Sequence, residues 1–475
     1  MKHTILLFLF ITIILQVDSQ NSNVLLLSKI GDVRYQCNQS NCSTSTVVSK
    51  PNLRACQTSC LMDTSCRTLT FDQINSQCEL FADDPNQYGS LIAQTGVMTF
   101  IAVNRQLSAS MSTNAMASIK TTSSSSSTST SSMSTTTTTA IIWKQISKMY
   151  TGRDTHTASV LSDGKVLVVG GSNAGYTGTA EIYHPSTGNW TKSANLSVAR
   201  WYHTASTLLN GSVLVVGGGG NTGYLNSGQL YNPLAGTWAT VANMNVARFG
   251  HTASVLSNGL VLVVGGQSSS GSYVNSIELY NPLTNTWTLK ANMNVARSYH
   301  TASVLSNGAV LVTGGQTTGG IYLSSVELYN SSTNTWTGQA NMNVARSYHT
   351  ASVLSNGKVL VAGGYNGSVV FNSAQLYDPL TNAWSSTANM NTARYKYAAS
   401  VLSDGSVVVI GGIDNSNSFL ASGEKYNPST NTWVVLSASM NAVRCSHTSS
   451  LLSNGQILVA GGYNGTVSTN TAELY

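Results

Sequence analysis

Charge is what this sequence has least of. Lys, Arg, Asp and Glu together make up 8% of 475 residues, and the net charge of +6 is spread without a basic run. Nucleic-acid-binding chains gather their cations on one face or stripe, so nucleic acid is not an expected partner. Cysteine is absent after Cys78 except for Cys445. No C-x-x-C pair occurs, and no histidine lies between residues 20 and 105, so no zinc site or other metal site is expected there. Long apolar runs are also missing: Ile5–Leu15 is the main one, too short for a membrane span. There is no HExxH, no phosphate loop and no Ser-His-Asp constellation. The acids Glu181, Glu278, Glu327, Glu424 and Glu473 share one repeated position, which removes the paired carboxylates a glycosidase needs. No catalytic residue and no cofactor is expected from these absences.

What is present divides into four stretches. Residues 1–19, within MKHTILLFLFITIILQVDSQ, have the positive start, apolar stretch and small-residue end of a secretory signal peptide. The expected mature product is secreted and extracellular, with no membrane span after cleavage. Residues 20–105 hold Cys37, Cys42, Cys56, Cys60, Cys66 and Cys78, an even set that reads as disulfides in an oxidising compartment, with fifteen pairings open. Residues 106–140 are a Ser/Thr-rich linker, SASMSTNAMASIKTTSSSSSTSTSSMSTTTTTA, which cannot bury apolar surface. N-glycosylation sequons fall at Asn38, Asn41, Asn189, Asn195, Asn210, Asn330, Asn366 and Asn464; Asn189 precedes an expected core tryptophan and is the doubtful one.

Residues 141–475 are repetitive. Met293–Gly308 and Met342–Gly357 read identically, MNVARSYHTASVLSNG, and Met244–Gly259 differs only at Phe249 and Gly250. A diglycine recurs from Gly170-Gly171 to Gly461-Gly462, a tyrosine from Tyr183 to Tyr475, and a tryptophan from Trp143 to Trp433, each series seven long. Within a unit, HTASVL predicts strand a and Asn-Gly or Asp-Gly a tight hairpin turn. The apolar VLVVGG predicts a doubly buried strand b, IELY strand c, and NPLTNTW a turn into strand d. Such a sheet cannot cover both faces alone, but seven packed around an axis can. The C-terminal unit lacks strand d and Trp143 stands alone at the other end, so the N-terminal strand is expected to complete the final blade and remove the open edge. The fold class is all-β: a seven-bladed β-propeller closed by an N-terminal strand, preceded by a small disulfide-rich α+β domain.

The diglycine with spaced Tyr and Trp resembles kelch repeats, and R-x-x-H-T-A-x-x-L-x-[ND]-G-x-V-L-V-x-G-G is similar to the propeller of galactose oxidase-like proteins. The string ACQTSCLMDTSCRTLTFDQINSQCELF resembles a PAN/apple module. That resemblance implies the pairs Cys56–Cys78 and Cys60–Cys66, leaving Cys37–Cys42, and it implies protein or carbohydrate binding. The galactose oxidase likeness implies a rival reading, a copper radical oxidase with Tyr202-His203 as ligands and Cys445 near the place of a cross-linked cysteine. Tyr299-His300 and Tyr348-His349 carry the same dipeptide, so this pair is partly a product of the repeat. The family's remaining histidine ligand lies in a domain after the propeller, beyond what corresponds to Tyr475.

The d–a and b–c loops share one face of the disc, and that face varies between units. Arg153, Arg200, Arg248, Arg297, Arg346, Arg394 and Arg444 recur once per unit and are expected mainly to hold loop carbonyls, with Arg297 and Arg346 retained as face candidates. The recurrent histidines are expected in structural hydrogen bonds with neighbouring threonines. Departures point to ligand contacts: Trp201, the diglycine extended to Gly217–Gly220, and Tyr395, Lys396 and Tyr397, with Tyr202 as a further face candidate. The b–c aromatics Tyr176, Tyr224, Tyr273, Tyr322, Phe371 and Phe419 complete the set, as rings suited to sugars or a peptide. The expected function is a secreted, non-catalytic recognition or adhesion protein. Its partners would be extracellular glycans or glycoproteins, held by the head and by this face. An inert matrix component is the remaining alternative.

Overall fold

The computed structural model describes residues 143–475 throughout and, before them, only the backbone of short strands. The chain divides into two units, Met1–Ser134 and Thr135–Tyr475. In the first, Thr46–Ser49, Gln77–Phe81 and Thr68–Asp72 form a three-stranded sheet with Gln77–Phe81 central, His3–Leu7 pairs with Val33–Cys37, and Ile14–Val17 pairs with Leu25–Ser28. Cys42, Cys56, Cys60 and Cys66, and with them one or both members of each expected pair Cys56–Cys78, Cys60–Cys66 and Cys37–Cys42, lie outside the described residues, as do the sequons Asn38 and Asn41 and the tract 106–140. Among the described residues no helix is long and apolar enough to cross a membrane.

The second unit is seven four-stranded antiparallel sheets. Blade 1 runs Thr157–Val160, Val166–Val169, Ala180–His184 and Asn189–Lys192 as strands a to d. Blades 2 to 6 repeat this order with strand a at Thr204–Thr207, Thr252–Val255, Thr301–Val304, Thr350–Val353 and Ala398–Val401. Blade 7 supplies Thr448–Leu451, Ile457–Ala460 and Ala472–Leu474, and its fourth strand is Lys144–Gln145 from the other end of the unit, with Lys144 opposite Leu474 and Gln145 opposite Glu473. The expected closure is the one found. Strands a of adjacent blades lie side by side around the axis, blade 1 meeting both blade 2 and blade 7.

Strand b is apolar at every position except Thr313 because both of its faces meet other blades. Val166 and Val168 pack with Leu458, Ala460 and Leu474 of blade 7, whereas Leu167 and Val169 pack with Val213, Val215 and Tyr231 of blade 2. Strand d is the outer strand, and its tryptophan packs tilted against the strand-c tyrosine and reaches back to the preceding blade. Trp287 lies 4.9 Å from Tyr280 and donates its indole N–H to the Ala242 carbonyl at 2.8 Å. Trp143 does the same for the closing strand, 5.1 Å from Tyr475 and donating to the Ala438 carbonyl at 3.0 Å. The diglycine is a requirement of close approach. Gly314 and Gly315 have φ of +61° and +98°, and a Cβ on Gly314 would sit 2.5 Å from the Arg346 carbonyl oxygen of the next blade.

Candidate binding face

Three consecutive residues of each d–a loop set the geometry of the loop face. The first pairs with the residue just past the diglycine, as in Trp201 with Gly219, Tyr395 with Ile413 and Cys445 with Tyr463. The second is left-handed in all seven blades: Thr155, Tyr202, Gly250, Tyr299, Tyr348, Lys396 and Ser446 have φ between +47° and +65°. Only one of the seven is glycine, so six side chains hold an unfavourable backbone conformation at one structural position. These residues form a collar at the axis. The amide of Tyr202 donates to the Thr155 carbonyl (3.1 Å), Thr155 to Ser446 (2.9 Å), Ser446 to Lys396 (2.8 Å), Tyr299 to Gly250 (3.0 Å) and Tyr348 to Tyr299 (3.3 Å).

Aromatic rings carried by this collar and by the b–c loops touch from blade to blade. Tyr176 stacks on Trp201 at 5.4 Å, Trp201 meets Phe249 at 5.1 Å, and Tyr224 stacks on Phe249 at 4.7 Å. Phe249 meets Tyr299 at 6.1 Å, Tyr299 stacks on Tyr348 at 4.4 Å, Tyr348 meets Tyr395 at 6.3 Å, and Tyr365 stacks on Tyr395 at 5.2 Å. The ring contacts run without a gap from blade 1 to blade 6, through Phe249, which is buried. Burial raises the hydroxyl pKa along it: Tyr299 is pushed up to about 12, and Tyr202 and Tyr348 rise too, each helped by neighbouring phenols. Their hydroxyls stay protonated. The ammonium of Lys396 sits 5.1 Å from the Tyr348 ring centroid and 5.9 Å from that of Tyr395.

The third residue of each triplet is buried and ties neighbouring blades together. His203, His251, His300 and His349 place Nε2 at 2.9 to 3.0 Å from Thr157, Thr204, Thr252 and Thr301 of the preceding blade, and His156 reaches Thr448 at 3.1 Å. Blade 6 departs twice. Tyr397 replaces histidine, hydrogen-bonding Thr350 at 2.9 Å and donating to the Ala362 carbonyl at 2.6 Å; Ala398 replaces threonine and leaves Nε2 of His447 without a partner.

The sequence-derived candidates sort accordingly. Tyr176 is exposed, and Trp201, Tyr202, Tyr224, Tyr273, Tyr395 and Lys396 are half-buried on the face. Tyr322 and Phe419 are half-buried beneath the next blade's loop, where a Cβ on Gly367 or Gly465 would meet their rings. Phe371 lies over the Arg346 guanidinium at 5.3 Å. Three expected face residues do not reach the surface. Tyr397 is buried in the interblade bond just described, and Arg297 and Arg346 have no exposed surface at all. The Arg297 guanidinium donates to the carbonyls of Gly314 and Ser325, the Ser325 hydroxyl and Glu327; that of Arg346 donates to the carbonyls of Gly363 and Ser373 and the Ser373 hydroxyl. The loop carbonyls they satisfy would otherwise be orphaned, so these arginines are structural.

Two departures noted in the sequence are one feature: a Cβ at Gly219 would collide with the Trp201 indole, so the glycine extension makes room for that ring. Phe249, Tyr299, Tyr348 and Tyr365 belong to the arc but escaped sequence reasoning, because two of them lie inside the identical repeats. The column Thr, Tyr, Gly, Tyr, Tyr, Lys, Ser between Arg and His was the available signal. Among the sequons, Asn366 and Asn464 lie on this face in Asx turns, their Oδ1 atoms accepting the amides of Ser368 and Val369 and of Thr466 and Val467 at 2.9 to 3.1 Å. Asn210 and Asn330 accept from Ser212 and Ser332 in the a–b and c–d turns of the opposite face, and Asn195 is exposed.

Fold and face together define a closed repeat propeller with one divergent loop surface. Its repeats are kelch repeats: the KLHDC2/KLHL20/DRC7 kelch-repeats domain matches residues 250–462, and the kelch motif matches 155–197 and 200–245. A PAN domain matches residues 35–102. No curated protein sequence matches the chain. Among solved structures, a fungal alcohol oxidase of the AA5 family in complex with copper is similar at TM-score 0.58 and 19% identity, over 70% of this chain and 75% of that one. The structure of YjhT is similar at TM-score 0.51 and 16% identity, over 61% of this chain and 99% of that one. At these identities the likeness is one of fold. Nε2 of His203 is engaged by Thr157 like its counterparts in other blades, and among the described residues no three His, Cys, Asp or Glu side chains converge as metal ligands.

Proposed function

We propose that this chain is a secreted, glycosylated recognition protein without catalytic activity or cofactor, which binds extracellular glycans or glycoproteins. A kelch propeller joined to a PAN domain fits a recognition role. The observation that carries the reading is the aromatic arc on the one face where the blades differ, with the repeated arginines and histidines withdrawn beneath it. Large amphipathic rings supply contact area at low entropic cost, and the Asn, Gln, Ser and Thr of the b–c loops supply hydrogen bonds at the rim. The PAN domain gives a second surface, and two weak sites on one chain bind a polyvalent partner with avidity. The test is a glycan array probed with the full chain and with its Trp201→Ala/Tyr299→Ala variant. Binding by the wild type that the variant loses supports the proposal; a silent array, or equal binding by both, counts against the loop face. Metal analysis with an oxygen-consumption assay on alcohols separates this reading from the oxidase.

A further inference from the structure

Given that the loop face binds, its charges narrow the ligand. The seven repeated arginines are fully buried and committed to loop carbonyls. Within the d–a triplets and the b–c loops, the remaining charged residues are Asp154, Asp414 and Lys396. Both acids are already engaged: Asp154 accepts the Ser468 hydroxyl at 2.5 Å, and Asp414 accepts the amides of Ser416 and Ser418 at 2.8 and 2.9 Å. Lys396 is different. Among the described residues it forms no salt bridge, and its collar position holds the ammonium over the rings of Tyr348 and Tyr395. An ammonium steadied by ring faces keeps its N–H donors for an anion.

We infer that the loop face takes an extended acidic saccharide, with a uronate-type carboxylate at Lys396 and successive sugar rings along the aromatic arc running back to Tyr176. The ring centroids lie 4.4 to 6.3 Å apart from Tyr395 to Trp201, tilted or edge-on to one another except where Tyr299 stacks on Tyr348. Phe249 is buried, so the C–H faces of a linear sugar chain would meet Tyr395, Tyr348 and Tyr299 at one end and Trp201 and Tyr176 at the other. Its border is amide and hydroxyl side chains, including Gln267, Ser268 and Gln316, suited to hydroxyl-rich ligands.

The experiment is calorimetric titration of the full chain with a uronate-containing octasaccharide, with the same octasaccharide after carboxyl reduction, and with an oligoglutamate peptide. We expect carboxyl reduction to weaken binding at least tenfold, Lys396→Met to remove that difference with unchanged circular dichroism, and Trp201→Ala to weaken both sugars. Equal affinity for the native and reduced sugars, or no effect of Lys396→Met, overturns the acidic-saccharide assignment while leaving glycan recognition standing. Tighter binding of the peptide than of either sugar overturns it in favour of an acidic protein partner. No binding of any sugar by the wild type overturns this inference and the glycan reading together.

Discussion

Acid should unfold this propeller far earlier than its few carboxylates would suggest. Burial is the largest cause that holds His203, His251, His349 and His447 down to about 3, with the neighbouring Arg second in each, and it lowers His156 and His300 as well. An unfolded histidine titrates near 6.5. Above that pH the side chain is neutral in both states and the interblade bonds are fully present. Below it the unfolded chain takes up protons that the fold refuses, so stability falls as pH drops from 6.5 towards 3. Counting only the four residues near 3, each loses about 1.4 kcal/mol between pH 7.5 and 5.5, together on the order of 5 kcal/mol. That is comparable with the whole stability of many domains. Urea unfolding followed by tryptophan fluorescence at pH 7.5, 6.5 and 5.5 measures it. His349→Gln keeps a partner for Thr301 and should reduce the loss by about 1.4 kcal/mol. A loss under about 1 kcal/mol over this range would refute the reasoning, since the histidines could then not be buried and neutral.

The remaining predictions concern the ring. Arg200 and Arg346 face Gln229 and Gln375 where five other blades place glutamate, and burial lowers both guanidinium pKa values to about 10. Gln229→Glu and Gln375→Glu should each stabilise by about 2 kcal/mol in urea unfolding, by adding a charge-assisted bond beside an uncompensated cation. Ala398→Thr should give His447 the partner its counterparts have and raise stability by about 1 kcal/mol. Trp143→Ala should cost about 3 to 5 kcal/mol and promote aggregation seen by light scattering, because it loosens the strand that completes blade 7.

The architecture was legible because one pattern is written seven times. The diglycines, the Trp–Tyr pairs and the apolar strands b each have a single physical explanation, and Trp143 without a partner strand implied the closure seen in the pairing of Lys144 with Leu474. The candidate face was legible only in part. Trp201 and Lys396 stood out because they break the repeat, whereas Tyr299 and Tyr348 were hidden by belonging to it. Sequence spacing could not show that their position is left-handed and axial, where the blades converge and equivalent side chains from different repeats touch. Nor could it show that Arg297 and Arg346 turn inward, a matter of which loop carbonyls lack partners once strands b and c have diverged.

The account stands or falls on the loop face being the recognition surface, and Trp201 reports on it alone. The other seven tryptophans stand in strand d, outermost in each blade, and Trp201 is the one at the collar. Indole N–H resonances of the full chain, assigned with Trp201→Phe, should show the Trp201 signal shifting as a bound glycan or glycoprotein saturates, while the strand-d indoles stay in place. A ligand that saturates the protein and leaves the Trp201 resonance unmoved would contradict the account.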